Sequence, residues 1–347
     1  MSQSRRKRAD RITTEQAPNS ELASGDHKGK WTKIIISSAV ILLILVIAGI
    51  SFYPTYIAPY RRTIIAVDDT TIPMSYFLKR LQLDSGTDPL NMLDQITKEQ
   101  IIKLGAPQYG IEVSPEDVDE ALRTLFQGGS ETVSESEFRE WYRQRLNATG
   151  LSDSEYRELL TIGLLESDLQ QYLAERVPTV AEQRHIYIIF TETYEKAEEA
   201  RARWETGEDF TDVARELSID EETSEIGGEI GWFPRGGTLN IQLEYSAFNL
   251  STGNVSQPAP FFSEESSQAG GAEPEIVGYY IVWVTEEAAR QLDEDNLQAI
   301  KDNVLEDWYL IERSNHTIRI SGLNNGFDSE TYAWIHWQLV KSQTDSE

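Results

Sequence analysis

Apolar positions along this chain change their spacing three times, and each change predicts a new set of elements. From Ile34 to Tyr53 they form a run of twenty residues without a charge. After a short hairpin-like piece, Thr63 to Ile72, the spacing becomes helical: Val118, Ala121, Leu122 and Leu125, then Phe138, Trp141 and Tyr142, then Tyr156, Leu159, Leu160 and Leu164. Apolar residues recurring at i, i+3, i+4 and i+7 mark one face of a 3.6-residue helix. The starts are marked too. Ser114-Pro-Glu-Asp117 offers an N-cap, a proline at the first helical position and early acids, while Ser134-x-x-Glu137 and Ser152-x-x-Glu155 are capping boxes.

From Arg184 the pattern shortens. Arg184-His-Ile-Tyr-Ile-Ile-Phe190 reads as a strand, followed by a helix with Ala197, Ala200 and Trp204 on one face that stops at Gly207, and a shorter helix with Phe210, Val213, Ala214 and Leu217. Next comes Ile226-Gly-Gly-Glu-Ile-Gly-Trp-Phe-Pro-Arg-Gly-Gly237, whose five glycines turn the backbone tightly on both sides of a short strand. Ser246-Ala-Phe-Asn-Leu250, the turn Ser251-Thr-Gly-Asn254 and the apolar run Ile276 to Thr285 complete this stretch. Beyond it, Leu297, Ile300, Val304, Trp308 and Ile311 predict one more amphipathic helix. Tyr332-Ala-Trp-Ile-His-Trp337 reads either as a capping helix or as an exposed patch that binds other chains. The pattern as a whole is that of an α+β protein.

The uncharged run is long enough to cross a bilayer core of roughly 30 Å at about 1.5 Å per residue. Trp31 and Lys33 precede it and Tyr53, Tyr56 and Tyr60 follow, as expected of interfacial belts. It exceeds the apolar core of a cleaved signal peptide, and no clear cleavage site follows it. Residues 34–53 are therefore expected to form a single transmembrane helix. Residues 1–33 form a basic, disordered tail with Arg5-Arg-Lys-Arg8, placed in the cytoplasm by its positive charge. Everything from about Arg61 onward is then extracytoplasmic.

Charge and cysteine content narrow the chemistry. The formal net charge is -27, so nucleic acid is not an expected partner. The chain has no cysteine, which removes disulfides and thiolate metal sites. His27, His185, His316 and His336 are scattered, so no metal site and no cofactor is expected.

Residues 184–286 resemble a parvulin-type (PpiC) peptidyl-prolyl cis/trans isomerase domain. The resemblance rests on His185-Ile-Tyr, Gly207-Glu-Asp-Phe210, Gly227-Gly-Glu-Ile-Gly-Trp-Phe233, Ala247-Phe-Asn-Leu250, Gly253-Asn-Val-Ser256 and Gly278-Tyr-Tyr-Ile281, six motifs in the family's order. It implies a four-stranded antiparallel sheet with surrounding helices. It also implies an apolar cup for a proline ring at Ile230, Leu239 and Leu243, with Phe248 behind and Trp232 and Phe233 among the substrate-binding residues. The family's catalytic positions fall on His185, Asp220 and Tyr280. This chain departs from the pattern where Tyr280 replaces a second histidine, Val277 a small polar residue and Leu243 an aromatic one.

Residues 61–183 resemble the helical amino-terminal chaperone domain of the SurA and PrsA extracytoplasmic foldases, through Lys103-Leu-Gly105 and Gly110-Ile-Glu-Val-Ser-Pro-Glu-Asp-Val118. In those foldases a carboxy-terminal helix returns to complete the chaperone domain, and residues 287–347 are expected to do the same. The function implied is that of a membrane-anchored isomerase and foldase. Its partners would be unfolded or nascent secreted polypeptides containing X-Pro bonds. The alternative is a non-catalytic holdase that keeps the parvulin fold for peptide binding, favoured by the substitutions at Leu243, Val277 and Tyr280. An insertion, Phe262 to Glu275, is small and acidic and is expected to be a surface loop beside the peptide groove.

Overall fold

A computed structural model describes residues 38–43, 46–47, 52–84, 86–127, 134–263, 275–324 and 326–344. The chain divides into two compact units, Met1–Arg61 and Arg62–Glu347. In the first, residues 38–43 and 46–47 are helical with their side chains exposed, and a π-helical turn, Tyr53–Ile57, leads into a short helix, Ala58–Arg61. The basic tail and much of the expected membrane span (34–37, 44–45 and 48–51) lie outside the described residues. No helix among the described residues is long and apolar enough to cross a membrane.

The second unit opens with a hairpin, β1 (Thr63–Val67) and β2 (Thr70–Pro73), followed by helices α1 (Met74–Leu83), α2 (Pro89–Gly105), α3 (Pro115–Gln127), α4 (Glu135–Thr149) and α5 (Asp153–Ala174). Local chemistry sets several of their ends. Asp88 accepts from the Leu90 N–H with Pro89 behind it, Ser134 accepts from Glu137 N–H, and Ser152 and Glu155 close a full capping box. Gly150 ends α4 in the left-handed region, with φ 66°. The amphipathic faces then bury Ile64, Phe77, Met92, Ile101, Leu122 and Ile162 almost completely.

The end of the chain returns to this region. Helix α10 (Glu294–Glu312) lies against α2 and α5: Trp308 Nε1 donates to Tyr109 Oη at 3.0 Å, Lys98 meets Glu306 at 2.7 Å, and Gln170 Nε2 donates to the Lys301 carbonyl at 2.6 Å. Gly105 is required here, since a Cβ would come within 2.5 Å of the Trp308 ring. A three-residue strand, β7 (Ile318–Ile320), pairs with β1 through Ile65 and Ile320, making a small sheet of order β2-β1-β7. The last helix, α11 (Ser329–Thr344), divides the two readings of its aromatic cluster between its faces. Ile335 and Thr331 are fully buried, while Trp337 is 56% and Val340 50% exposed.

Between α5 and α10 lies a second sheet. Its elements are β3 (Val180–Thr191), α6 (Tyr194–Glu205), α7 (Phe210–Leu217), α8 (Glu221–Glu225), β4 (Glu229–Pro234), α9 (Ile241–Phe248), β5 (Ala259–Phe262) and β6 (Ile276–Gln291). All pairs are antiparallel, in the order β4-β3-β6-β5. Period-two alternation sends Ile186 and Ile188 to one face, with α9, and Ile189 to the other, with α6 and α7. The β3–β6 ladder reaches Val180↔Gln291, beyond the expected limits of 184–286. Gln183, buried in the ladder, donates to the carbonyls of Arg290 and Gln291, and Leu292 N–H donates to Thr179, so pairing continues past the functional core. Most of the acidic insertion, 264–274, lies outside the described residues.

Candidate active site on the four-stranded sheet

The apolar surface under α9 is built by the glycine-framed strand. Gly228 has φ +83°, and a Cβ there would sit 2.3 Å from the Ile188 carbonyl oxygen, so only glycine lets the chain enter β4 this close to β3. The Ile188 N–H donates to the Gly228 carbonyl at 2.7 Å, fixing that approach. One step later the register slips. Ile186 faces Gly231 and Tyr187 faces Glu229, which leaves Ile230 as the extra residue of a β-bulge. The bulge turns Ile230 and Phe233 toward the cluster that holds Leu239, Leu243, Ala247 and Tyr280.

The turn after β4 is pinned from two sides. Gly236 N–H donates to the buried Glu244 carboxylate at 2.9 Å, and Thr238 N–H donates to Asn296 Oδ1 at 2.9 Å. Asn296 is itself held at the start of α10, donating through Nδ2 to its cap Asp293 at 2.8 Å. The helix that completes the helical region therefore also fixes the turn carrying Leu239. Phe248 sits with the guanidinium of Arg184 5.0 Å from its ring centre and that of Arg235 4.5 Å away. Phe261 of β5 meets Phe190 and Tyr280 edge-on, at 5.2 and 5.9 Å.

The expected site residues fall into two groups. Ile230, Leu239, Leu243, Phe233, Phe248 and Tyr280 come together in one cluster. Tyr280 is buried, donates its hydroxyl to the Gln242 carbonyl at 2.9 Å and lies 2.8 Å from Ser246 Oγ, so it ties β6 to α9; burial pushes its phenol above the usual range. Asp220 stands at the same end of the sheet. It stands at the N-cap position of α8 without a side-chain capping bond, accepts from the Thr223 hydroxyl, and follows Ile219, whose N–H donates to the Phe190 carbonyl at 2.7 Å. Phe190 is also the cross-strand partner of Tyr280.

His185 lies elsewhere. Its cross-strand partner is Glu286, five positions along β3 from Phe190, or about 17 Å at 3.4 Å per residue. Its ring points to the opposite face, stacked 5.0 Å from Trp232 and edge-on to Tyr187, which in turn touches Phe210. Nε2 is 2.8 Å from Glu229 Oε1, and a carboxylate can only accept, so this nitrogen carries the proton; Nδ1 lies 3.0 Å from Thr285 Oγ1. His185 and Trp232 thus form a separate polar-aromatic contact under β4. The sequence reading did not find Glu229, Thr285 or Asn296. Glu229 could have been suspected from its place directly after the Gly227-Gly228 pair, whereas nothing local to Asn296 points 58 residues back to Thr238.

The arrangement is an antiparallel four-stranded sheet with a glycine-framed bulged strand over an apolar cluster. Residues 185–270 match the Rotamase family model, described as a PPIC-type PPIASE domain. The chain is 29% identical over 174 residues to the Foldase protein PrsA of Oceanobacillus iheyensis, covering 47% of this chain and 54% of that protein. It is 26% identical over 219 residues to the Foldase protein PrsA of Bacillus subtilis, covering 62% and 65%. The match therefore spans less than two thirds of either relative. The crystal structure of a peptidylprolyl isomerase (PrsA) from Bacillus cereus aligns with 82% of this chain and 92% of its own, at 18% identity and a TM-score of 0.35.

Proposed function

We propose that this chain is a parvulin-type peptidyl-prolyl cis/trans isomerase that assists the folding of secreted polypeptides. The observation that supports this most is the cluster of Ile230, Leu239 and Leu243 beside the glycine-framed strand, within a domain matched to the PPIC family. Rotating an X-Pro amide must overcome about 18–20 kcal/mol, because twisting removes its resonance. No covalent bond needs to change. A site that receives the proline ring in apolar surroundings and excludes water from the planar, dipolar amide favours the twisted form.

In this reading Ile230, Leu239 and Leu243 seat the proline ring, and Phe233 and Phe248 support them. Asp220 lines the mouth as a polar group facing the amide. Tyr280 acts by holding α9 over the cup, and His185, with Trp232, braces β4 from behind through Glu229. The helices of 61–183 and 287–347 form one chaperone unit into which residues 184–286 are inserted. Residues 34–53 anchor the chain in the membrane with the tail inside and the body outside. Protease added to intact cells should then remove the body and leave a short protected fragment; full protection would refute this topology.

A second reading, a holdase without turnover, is favoured by one observation: His185 and Tyr280 are on opposite faces of the sheet, so these two positions do not pair beside the cup. Refolding of a secreted protein limited by a slow X-Pro phase separates the two. Catalytic amounts of the full-length chain should accelerate that phase at least about tenfold over an uncatalysed exchange of tens of seconds. Suppressed aggregation with an unchanged slow phase would instead identify a holdase.

A further inference from the structure

The three residues that seat the proline ring stand on three different elements: Ile230 on β4, Leu239 in the turn that follows, and Leu243 on α9. Strand and helix hold their residues through repeating backbone hydrogen bonds. A turn has no such frame, so the placement of Leu239, buried at 9% exposure, depends on what grips residues 235–240 from outside.

One grip comes from the same domain, where Gly236 N–H donates to Glu244 and Asn240 starts α9 by accepting from Gln242 N–H at 2.9 Å. The other comes from beyond it. Asn296, the third residue of α10 and 4% exposed, accepts at Oδ1 from the Thr238 N–H at 2.9 Å and from the Thr238 hydroxyl at 3.1 Å. Its Nδ2 donates to Asp293 Oδ2, and its own N–H donates to Asp293 Oδ1, both at 2.8 Å. An amide N–H only donates and a carboxylate only accepts, so the residue between Thr238 and Asp293 must offer one acceptor and one donor. A carboxamide offers both, whereas Asp and Leu do not.

Gly237 shows how closely the two parts are fitted. Its φ lies outside the left-handed region, so the backbone does not ask for glycine. A Cβ there would instead stand 2.2 Å from Asn296 Oδ1 and 2.9 Å from Pro234 Cγ. The cup's turn thus keeps a space for a side chain of α10. That side chain arrives with little slack: only Leu292 and Asp293 separate β6 from α10, and Leu292 N–H is held by the Thr179 carbonyl at 2.8 Å.

On the isomerase reading given above, we propose that Asn296 is a positioning residue for the cup, setting Leu239 in place before the proline ring arrives and tying the cup's affinity for X-Pro segments to the docking of α10. Without the carboxamide, the Thr238 N–H turns to water and the turn samples several conformations. Only those with Leu239 in place receive the ring, so the apparent affinity falls with their share. The occupied cup is the same in either case, and rotation within it keeps its rate.

The test is two-dimensional exchange NMR on a short Ala-Pro peptide titrated with the full-length chain, which reads KM and kcat separately. Asn296→Leu, close to asparagine in shape, should raise KM about fivefold to tenfold and leave kcat within about twofold of wild type. Asp293→Asn/Asn296→Asp exchanges the two partners: an asparagine still caps α10 and donates to the new carboxylate, which accepts from Thr238. This swap should return KM to within about twofold of wild type. If Asn296→Leu fails to fold, Gly237→Ala decides, since it breaks the same contact from the turn and leaves α10 unaltered; it should raise KM by a similar factor. A lowered kcat at unchanged KM is the sign of lost folded protein and would reduce Asn296 to a structural residue. A KM that no variant moves, or that the swap does not restore, would overturn the proposal. A wild-type chain that shifts the peptide resonances without cis–trans cross-peaks would overturn the isomerase reading alone. The rise expected for Asn296→Leu then appears in Kd from the same titration, and an unchanged Kd would overturn the positioning role as well.

Discussion

Ile230→Asp should lower kcat/KM for X-Pro exchange by about tenfold to a hundredfold, because a carboxylate in an apolar cup must either stay solvated or be buried unpaired. Ile230 is the extra residue of the β4 bulge and only half-buried, so the same change should cost the fold about 1–2 kcal/mol, the loss of part of one side chain's burial. The contrast between the two effects is the informative part. Exchange spectroscopy on a small X-Pro peptide reads the first, and urea unfolding the second. A variant that loses stability but keeps its kcat/KM would remove Ile230 from the site.

Arg80→Ala should destabilise the helical region by about 3–5 kcal/mol, since it leaves a buried carboxylate without its partner. Arg80 and Glu99 are 4% and 7% exposed and form a two-pronged pair, Nη1 to Oε2 at 2.6 Å and Nη2 to Oε1 at 2.7 Å, joining α1 to α2. Removing both charges is a different experiment. Arg80→Met/Glu99→Leu should recover most of the loss, because apolar groups of similar volume replace the pair without an orphaned charge. Urea unfolding of both variants checks this, and a double variant no more stable than Arg80→Ala would contradict it.

How far the fold was legible in the sequence follows from how local each determinant is. Caps act within three or four residues, and Ser134, Ser152 and Gly150 mark in the sequence the ends they form in the structure. The strand at Arg184–Phe190 and the helix over Leu297–Ile311 carry their own periodicity, and both are present, each extended by residues that pair or pack without a periodic signal. Long-range pairing is another matter. The pairing of β7 with β1 joins Ile65 to Ile320, and three residues of strand have too little pattern to announce a partner on the far side of the sequence. The site divides in the same way. Glycine spacing pointed to the cup, because tight approach to a backbone demands glycine wherever it occurs. The bulge at Ile230 depends on a register slip between two strands, and it is the alternation along β3, where Phe190 pairs with Tyr280 and stands five residues from His185, that sends His185 and Tyr280 to opposite faces. Nothing in either residue's neighbourhood encodes that separation.

The central claim is that the cup under α9 lowers the barrier to X-Pro rotation. Two-dimensional exchange NMR on a short Ala-Pro peptide measures this directly, without a coupled protease or a folding client. Alone, the peptide interconverts over tens of seconds or more and gives no cis–trans cross-peaks at sub-second mixing times. With a substoichiometric amount of the full-length chain, cross-peaks should appear at those mixing times and should fade when Ile230→Asp replaces the wild type. Peptide resonances that broaden or shift on binding while cross-peaks stay absent would contradict the account and leave a peptide-binding protein without isomerase turnover.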